Sequence, residues 1–210
     1  MKLSSKLICY HLQKSFPIHT SRLDTEPVLS CPACYEKATP LQDGRVYLVS
    51  GPDFRLTFRH PKNILFLIIG ASYHDYELSQ PNLCVIPQDI PVNTILNKLQ
   101  EIFLIYDQWN QSLIDSRLRN ASIMELMELT DCIIPNPMML IGMDFTIIAS
   151  RKWALGDLSN SVLGSSENSW ALVDSLKQDS NYEEAFYKTG YFYYPGNGLT
   201  VPALCVEHLQ

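Results

Sequence analysis

Apolar residues recur at Val92, Ile95, Leu99, Ile102, Tyr106, Trp109 and Leu113, in alternating steps of three and four. Leu96 and Phe103 widen the stripe. This spacing places one apolar seam along a helix over residues 91–120. Pro91 suits the first helical position, where its missing N–H costs nothing. A heptad seam of this length predicts a dimerisation helix carried by Val92, Ile95, Leu99, Ile102, Tyr106 and Trp109. Tyr106 and Trp109 are bulky for a two-stranded coil, which prefers Ile, Val and Leu. The 92–103 half is therefore the expected dimer seam, and the Trp109 end is expected to pack on the domain that follows.

On either side the pattern changes. Pro17, Pro27, Pro32 and Pro40 break any long element in the first 40 residues. Residues 45–50, 64–69 and 83–86 are short apolar runs bounded by Gly or Pro, the form of strands buried on both faces. Their spacing predicts a small parallel sheet with crossovers. After the long helix, Ser122 and Glu125 form a capping box for a helix to about residue 131. Residues 138–141 and 145–149 read as a hairpin turning at 142–144. Residues 156–168 read as a loop, and 169–178 and 182–188 as short helices. Residues 191–194 and 201–206 read as strands around a turn at 195–198. The predicted class is α/β plus α+β: an N-terminal α/β sheet domain over 1–90, a connecting helix over 91–120, and an antiparallel-sheet domain over 121–210. The last strand falls close to Gln210, so that sheet is expected to be incomplete.

Charge adds one constraint. The net charge is −6, but residues 1–90 carry 9 Lys/Arg against 8 Asp/Glu, and residues 91–210 carry 7 against 14. An acidic second half without a basic cluster argues against direct nucleic-acid contact by this chain. Cys9, Cys31, Cys34, Cys84, Cys132 and Cys205 are scattered, with Cys84 and Cys132 in apolar surroundings, a pattern of reduced thiols. The apolar run at 7–9 is too short for a signal peptide, and the run at 64–69 too short for a membrane span. A cytoplasmic protein without a membrane segment is expected.

The sequence carries little catalytic chemistry. Cys31-Pro32-Ala33-Cys34 is a CxxC, but no strand of adequate length precedes it and no helix follows before Pro40. Two of the four ligands of a tetrahedral zinc site are missing nearby. Two loop cysteines are the expected reading. His11, His19, His60, His74 and His208 show no metal-ligand spacing, and no nucleophile elbow, P-loop or dinucleotide fingerprint occurs. No enzyme, no metal and no cofactor is expected. The aromatic-rich C-terminal third offers Trp153, Trp170, Tyr191 and Tyr193 as candidate ligand-binding residues. Strand and core packing is the competing role for such residues.

From Tyr106 to Ser150 the order of motifs becomes specific. Tyr106-Asp107-Gln108-Trp109 closes the long helix, and Asn120-Ala121-Ser122 opens the next. Asn136-Pro137 then leads into an apolar hairpin through Asp144-Phe145. This resembles the sensory region of PucR-type bacterial transcription regulators, the purine-catabolism and sugar-diacid regulators. Gly44 to Val49 and Ile64 to Ile69 fit the family's N-terminal α/β unit more loosely. The resemblance covers roughly residues 44–150 and is weak elsewhere. It implies a PAS/GAF-like sensor domain, a small-molecule effector and a homodimer. It also implies a DNA-reading helix-turn-helix far C-terminal to anything in this chain. The expected function is thus the sensory module of a PucR-like regulator. The alternative is a non-enzymatic interaction or scaffold protein whose PAS/GAF-like domain binds no small ligand.

Overall fold

The computed structural model describes residues 1–36, 40–51, 63–72, 82–87, 89–141, 147–152, 174, 178, 180, 190–194 and 203–207. The chain divides into two compact units, 1–118 and 119–210. The long helix belongs to the first.

Unit 1 is built on a five-stranded sheet of order β1-β5-β4-β3-β2. Its centre is β3 (Val46–Ser50), β4 (Leu65–Ile69) and β5 (Leu83–Ile86), three parallel neighbours in chain order. All residues of β4 and β5 are buried. Continuous apolar runs form such strands because a parallel sheet hides both faces. The edges are β1 (His19–Thr20), antiparallel to β5, and β2 (Pro32–Cys34), parallel to β3. Both are very short and β2 begins with proline, which blunts an edge against further pairing.

Alternation assigns the two faces. Tyr47, Val49, Phe66, Ile68, Leu83 and Val85 form one buried cluster, joined by Ala33, Tyr35 and Leu41. Tyr47 stacks on Phe66 with ring centroids 5.9 Å apart, and Tyr35 meets both rings edge-on. Val46, Leu48, Leu65, Leu67, Cys84 and Ile86 point the other way. The cluster contains no residue of either helix of unit 1. These helices are α1 (Ser5–Leu12) and α2 (Val92–Leu118); they pack on each other, and α2 packs on β2 and β3. They therefore cover the second face.

The first 40 residues hold more structure than the prolines predict. Ser4 caps α1 by accepting a hydrogen bond from the Leu7 N–H at 3.2 Å. Asn82 ties the start of β5 to the N-terminal segment. Its side-chain carbonyl accepts from the Asp24 N–H at 2.9 Å, and its side-chain amide donates to the Asp24 carboxylate at 2.6 Å. Between β3 and β4 the backbones approach closely: a Cβ on Gly51 would meet Ala71 and lie 2.8 Å from the Ile69 carbonyl. Only glycine fits there.

Helix α2 spans 27 residues, roughly 40 Å at 1.5 Å per residue. A five-residue strand covers roughly 17 Å. The helix is thus more than twice as long as the strands it crosses. Ile95, Leu99, Ile102, Phe103 and Tyr106, up to just past its midpoint, are buried; beyond Tyr106 only Ser116 is. Leu104, Ile114 and Leu118 are exposed, Leu118 to 77%.

In unit 2, helix α3 (Ile123–Leu129) begins at the predicted capping box. The Ser122 hydroxyl accepts from the Glu125 N–H at 3.2 Å, and the Glu125 carboxylate accepts from the Ser122 N–H at 2.7 Å. Helix α3 packs on β7 (Ile147–Arg151), which pairs antiparallel with β6 (Met138–Ile141). A second antiparallel pair joins β8 (Gly190–Tyr194) and β9 (Ala203–Glu207). Among the described residues these are two separate two-stranded sheets. The whole is a mixed α/β fold with a five-stranded sheet and three described helices. The loop expected at 156–168, most of the two helices expected after it, and the turns at 142–144 and 195–198 lie outside the described residues.

Candidate functional site

The polar chemistry of unit 1 gathers where α2 leaves the sheet. His11, in the last turn of α1, shares a hydrogen bond of 2.9 Å between its Nε2 and the hydroxyl of Tyr106. The two rings meet edge-on with centroids 5.6 Å apart, and Trp109 sits edge-on to Tyr106 one turn further along α2. The Trp109 indole N–H is buried with no hydrogen-bond partner among the described residues. The Met1 amine pairs with Asp107, so the N-terminus, α1 and the midpoint of α2 are held at one place.

Burial disfavours the charged imidazole and lowers the pKa of His11; Lys14, then Lys98, push it down further. A neutral imidazole can either donate to or accept from the Tyr106 hydroxyl, so the pair holds two helices together by a hydrogen bond and ring packing. The arrangement positions a helix. It contains no activated nucleophile and no acid–base pair aimed at a cavity.

The residues expected to form a dimer seam lie in this same place. Ile95, Leu99, Ile102 and Tyr106 are buried within unit 1, and Val92 and Trp109 are half-buried. Within the protomer the 95–106 stretch is covered by the chain's own fold. The periodic stripe is real, and its partner is the sheet face and α1.

Cys31 and Cys34 are both exposed, and Cys34 ends the edge strand β2. Cys34 thus lies on a strand edge, and Cys31 precedes that strand without regular secondary structure. Three positions of extended chain span roughly 10 Å, beyond the ~7 Å Cα separation a disulfide tolerates. Among the described residues no group of three or more His, Cys, Asp and Glu side chains is placed to hold a metal ion. No described helix is long and apolar enough to cross a membrane.

Of the four ligand candidates, Trp153 and Trp170 lie outside the described residues. Tyr191 and Tyr193 take alternate positions on β8, opposite Val206 and Leu204 of β9. Arg151 was not expected from the sequence. It is buried to 2% exposure at the end of β7. Its guanidinium pairs with Asp131 at 2.5 Å, donates to the Asn136 carbonyl at 2.8 Å and also to the Ile134 carbonyl. Lys152 pairs with Asp131 as well. These two cations, led by the hydrogen bond from Lys152, hold the Asp131 carboxyl below its usual pKa. The only sequence signal was a lone arginine ending an apolar strand. Compared with family models, curated proteins and solved structures, the chain matches none of them.

Proposed function

We propose that this chain is a ligand-responsive regulatory module, the sensory region of a PucR-like transcriptional regulator. In it a small molecule bound in the second unit changes how α2 is held in the first. One observation carries the reading: α2 is seated on the sheet only through its first half, then continues to Leu118, next to the first residue of unit 2. A helix half fixed and half beyond its sheet is a natural lever. The His11–Tyr106 contact marks its fulcrum, and Asn120, in the left-handed region at φ 55°, marks its far joint. The effector acts by binding one seating of the helix more tightly than the other, since equal affinity shifts nothing. The module self-associates, and the polypeptide makes no direct nucleic-acid contact through these residues. DNA reading belongs to a helix-turn-helix of the kind the family carries further C-terminal.

Thermal-shift screening against purines, ureides and sugar acids tests the ligand. An effector at 100 times its Kd adds about 2.7 kcal/mol of stability. Silence across a broad metabolite library transfers the chain to the alternative, an interaction protein with no small ligand. Light scattering after size exclusion tests self-association, and a strict monomer at high concentration removes it.

A further inference from the structure

Residues 1–23 hold Lys2, Lys6, Lys14 and Arg22 and not one Asp or Glu, in a chain whose net charge is −6. Helix α1 sorts this segment into two faces. Ser5, Ile8, Cys9 and Leu12 are buried, whereas Lys6, Tyr10, Gln13 and Lys14 are exposed. Lys6 and Lys14 lie four residues to either side of Tyr10, which sets the three side chains along one outward line. Tyr10 is 49% exposed, and the Lys14 Nζ stands 4.2 Å from the centre of its ring. Lys2 is exposed as well, just before the bridge between Leu3 and Leu29. Asp24 comes to the start of α1, where its carbonyl accepts from the Lys6 N–H, but its carboxylate accepts from the Asn82 amide at 2.6 Å. Among the described residues no salt bridge reaches Lys2, Lys6 or Lys14.

We propose that this outward face of α1 is a docking surface for an anionic lipid bilayer. Lys2, Lys6 and Lys14 meet the headgroups, and the Tyr10 ring sits among them. The face is the flank of a helix, whose backbone is engaged in its own hydrogen bonds and offers none to a peptide. Its cations are lysines, mobile point charges without the fixed fork that grips a single carboxylate or phosphate. Such charges suit a fluid layer of many headgroups better than one acidic protein segment. Between them stands a half-exposed tyrosine, an apolar body with a polar tip, the kind of side chain that bilayer interfaces favour. The other face of α1 is buried in unit 1, so the contact is electrostatic and reversible and needs no spanning segment. Residues 24–210 carry 12 Lys/Arg against 22 Asp/Glu. An anionic surface repels that remainder, which leaves α1 as the side turned toward it. This inference is independent of the ligand-sensing reading.

The test sediments the full chain with vesicles of phosphatidylcholine alone, and of phosphatidylcholine with about 30 mol% phosphatidylserine. Sedimentation with the anionic vesicles only is expected, and its loss as salt rises from about 0.1 M to about 1 M. Lys6→Gln and Lys14→Gln should each weaken partitioning about fivefold. Tyr10→Ala should weaken it again in either background. Arg117→Gln removes an exposed cation of α2 outside the patch and should bind as the parent does. A second measurement needs no substitution: amine acetylation mapped by mass spectrometry should find Lys6 and Lys14 shielded by anionic vesicles. Absence of sedimentation near 0.1 M salt, or unshielded Lys6 and Lys14 in bound protein, overturns the proposal. So does an equal loss in Arg117→Gln, which would leave bulk charge as the cause. Retention on polyglutamate or duplex DNA without vesicle binding also overturns it and assigns the face to that polyanion.

Discussion

The sheet of unit 1 and the hairpin of unit 2 are held by different means. In unit 1, stability is spread over strands buried on both faces, with aromatic rings interlocked on one side and two helices on the other. In unit 2, β6 and β7 form a two-stranded ribbon with exposed Leu140 and Ile148, and a buried arginine gathers the segment that leads into it. A two-stranded ribbon is marginal in water unless something packs on it. Here that is α3, with Met127 and Ala149 buried. A distributed core resists single substitutions through many contacts, whereas a ribbon depends on a few specific groups.

The comparison breaks most visibly at Phe66. It lies at the centre of β4, 1% exposed, stacked on Tyr47 and met by Tyr35. Phe66→Ala should cost about 3–5 kcal/mol, the lost transfer energy plus a cavity the rigid sheet cannot close. Denaturant unfolding measures it, and hydrogen exchange along the chain should show the loss across unit 1. Arg151→Met should cost unit 2 about 2–3 kcal/mol, because two carbonyls lose their donor. Asp131 is half-exposed and rehydrates, so no stranded buried charge adds to that figure. Arg151→Lys should recover only part, lacking the planar fork. Exchange confined to residues 131–152 supports this division, and equal loss in unit 1 would contradict it.

A smaller effect sharpens the same contrast at the start of α3. Ser122→Ala should cost about 1 kcal/mol, seen as faster exchange at the first amides of that helix. The partner carboxylate adds a pH dependence. Hydrogen bonds from the Ser122 backbone and hydroxyl lower the Glu125 pKa from its ordinary 4.5. Its stabilising contribution is therefore present above that value and lost as pH falls through the lower folded value. The cap of α3 should open in acid.

What could be read from the amino acids divides along physical lines. β3, β4 and β5 were legible because a strand buried on both faces must be continuously apolar. The Ser122–Glu125 cap was legible because it is local chemistry at fixed spacing. β1 and β2 were not: His19–Thr20 and Pro32–Cys34 have no strand signature of their own and exist through pairing with β5 and β3. Helix α1 was missed because its two turns give too little periodicity among polar residues. The stripe of α2 was legible as a packing surface, since a heptad shows that something packs and not what. Arg151 was hidden because a charge ending a strand is ordinarily solvated. The Asp131 carboxylate and the carbonyls of Ile134 and Asn136, 15 to 20 residues away in sequence, make its burial tolerable.

The smallest effect probes the fulcrum itself. His11 faces Tyr106 across the helix pair, with Lys14 on its own segment and Lys98 on α2 both raising the cost of its charge. Its folded pKa lies below the ordinary 6.5, so the unfolded chain binds the proton first and stability rises with pH through this range. The contribution is present above the unfolded value and lost as pH falls through the folded one. Between about pH 7 and about pH 5, unit 1 should lose stability in denaturant titrations while the exchange of β6 and β7 stays flat. His11→Gln keeps a neutral hydrogen-bonding group beside the Tyr106 hydroxyl and removes the titration, so its profile over that window should flatten. If the variant retains the slope of the parent protein, another group titrates there and the imidazole does not govern the seating of α2.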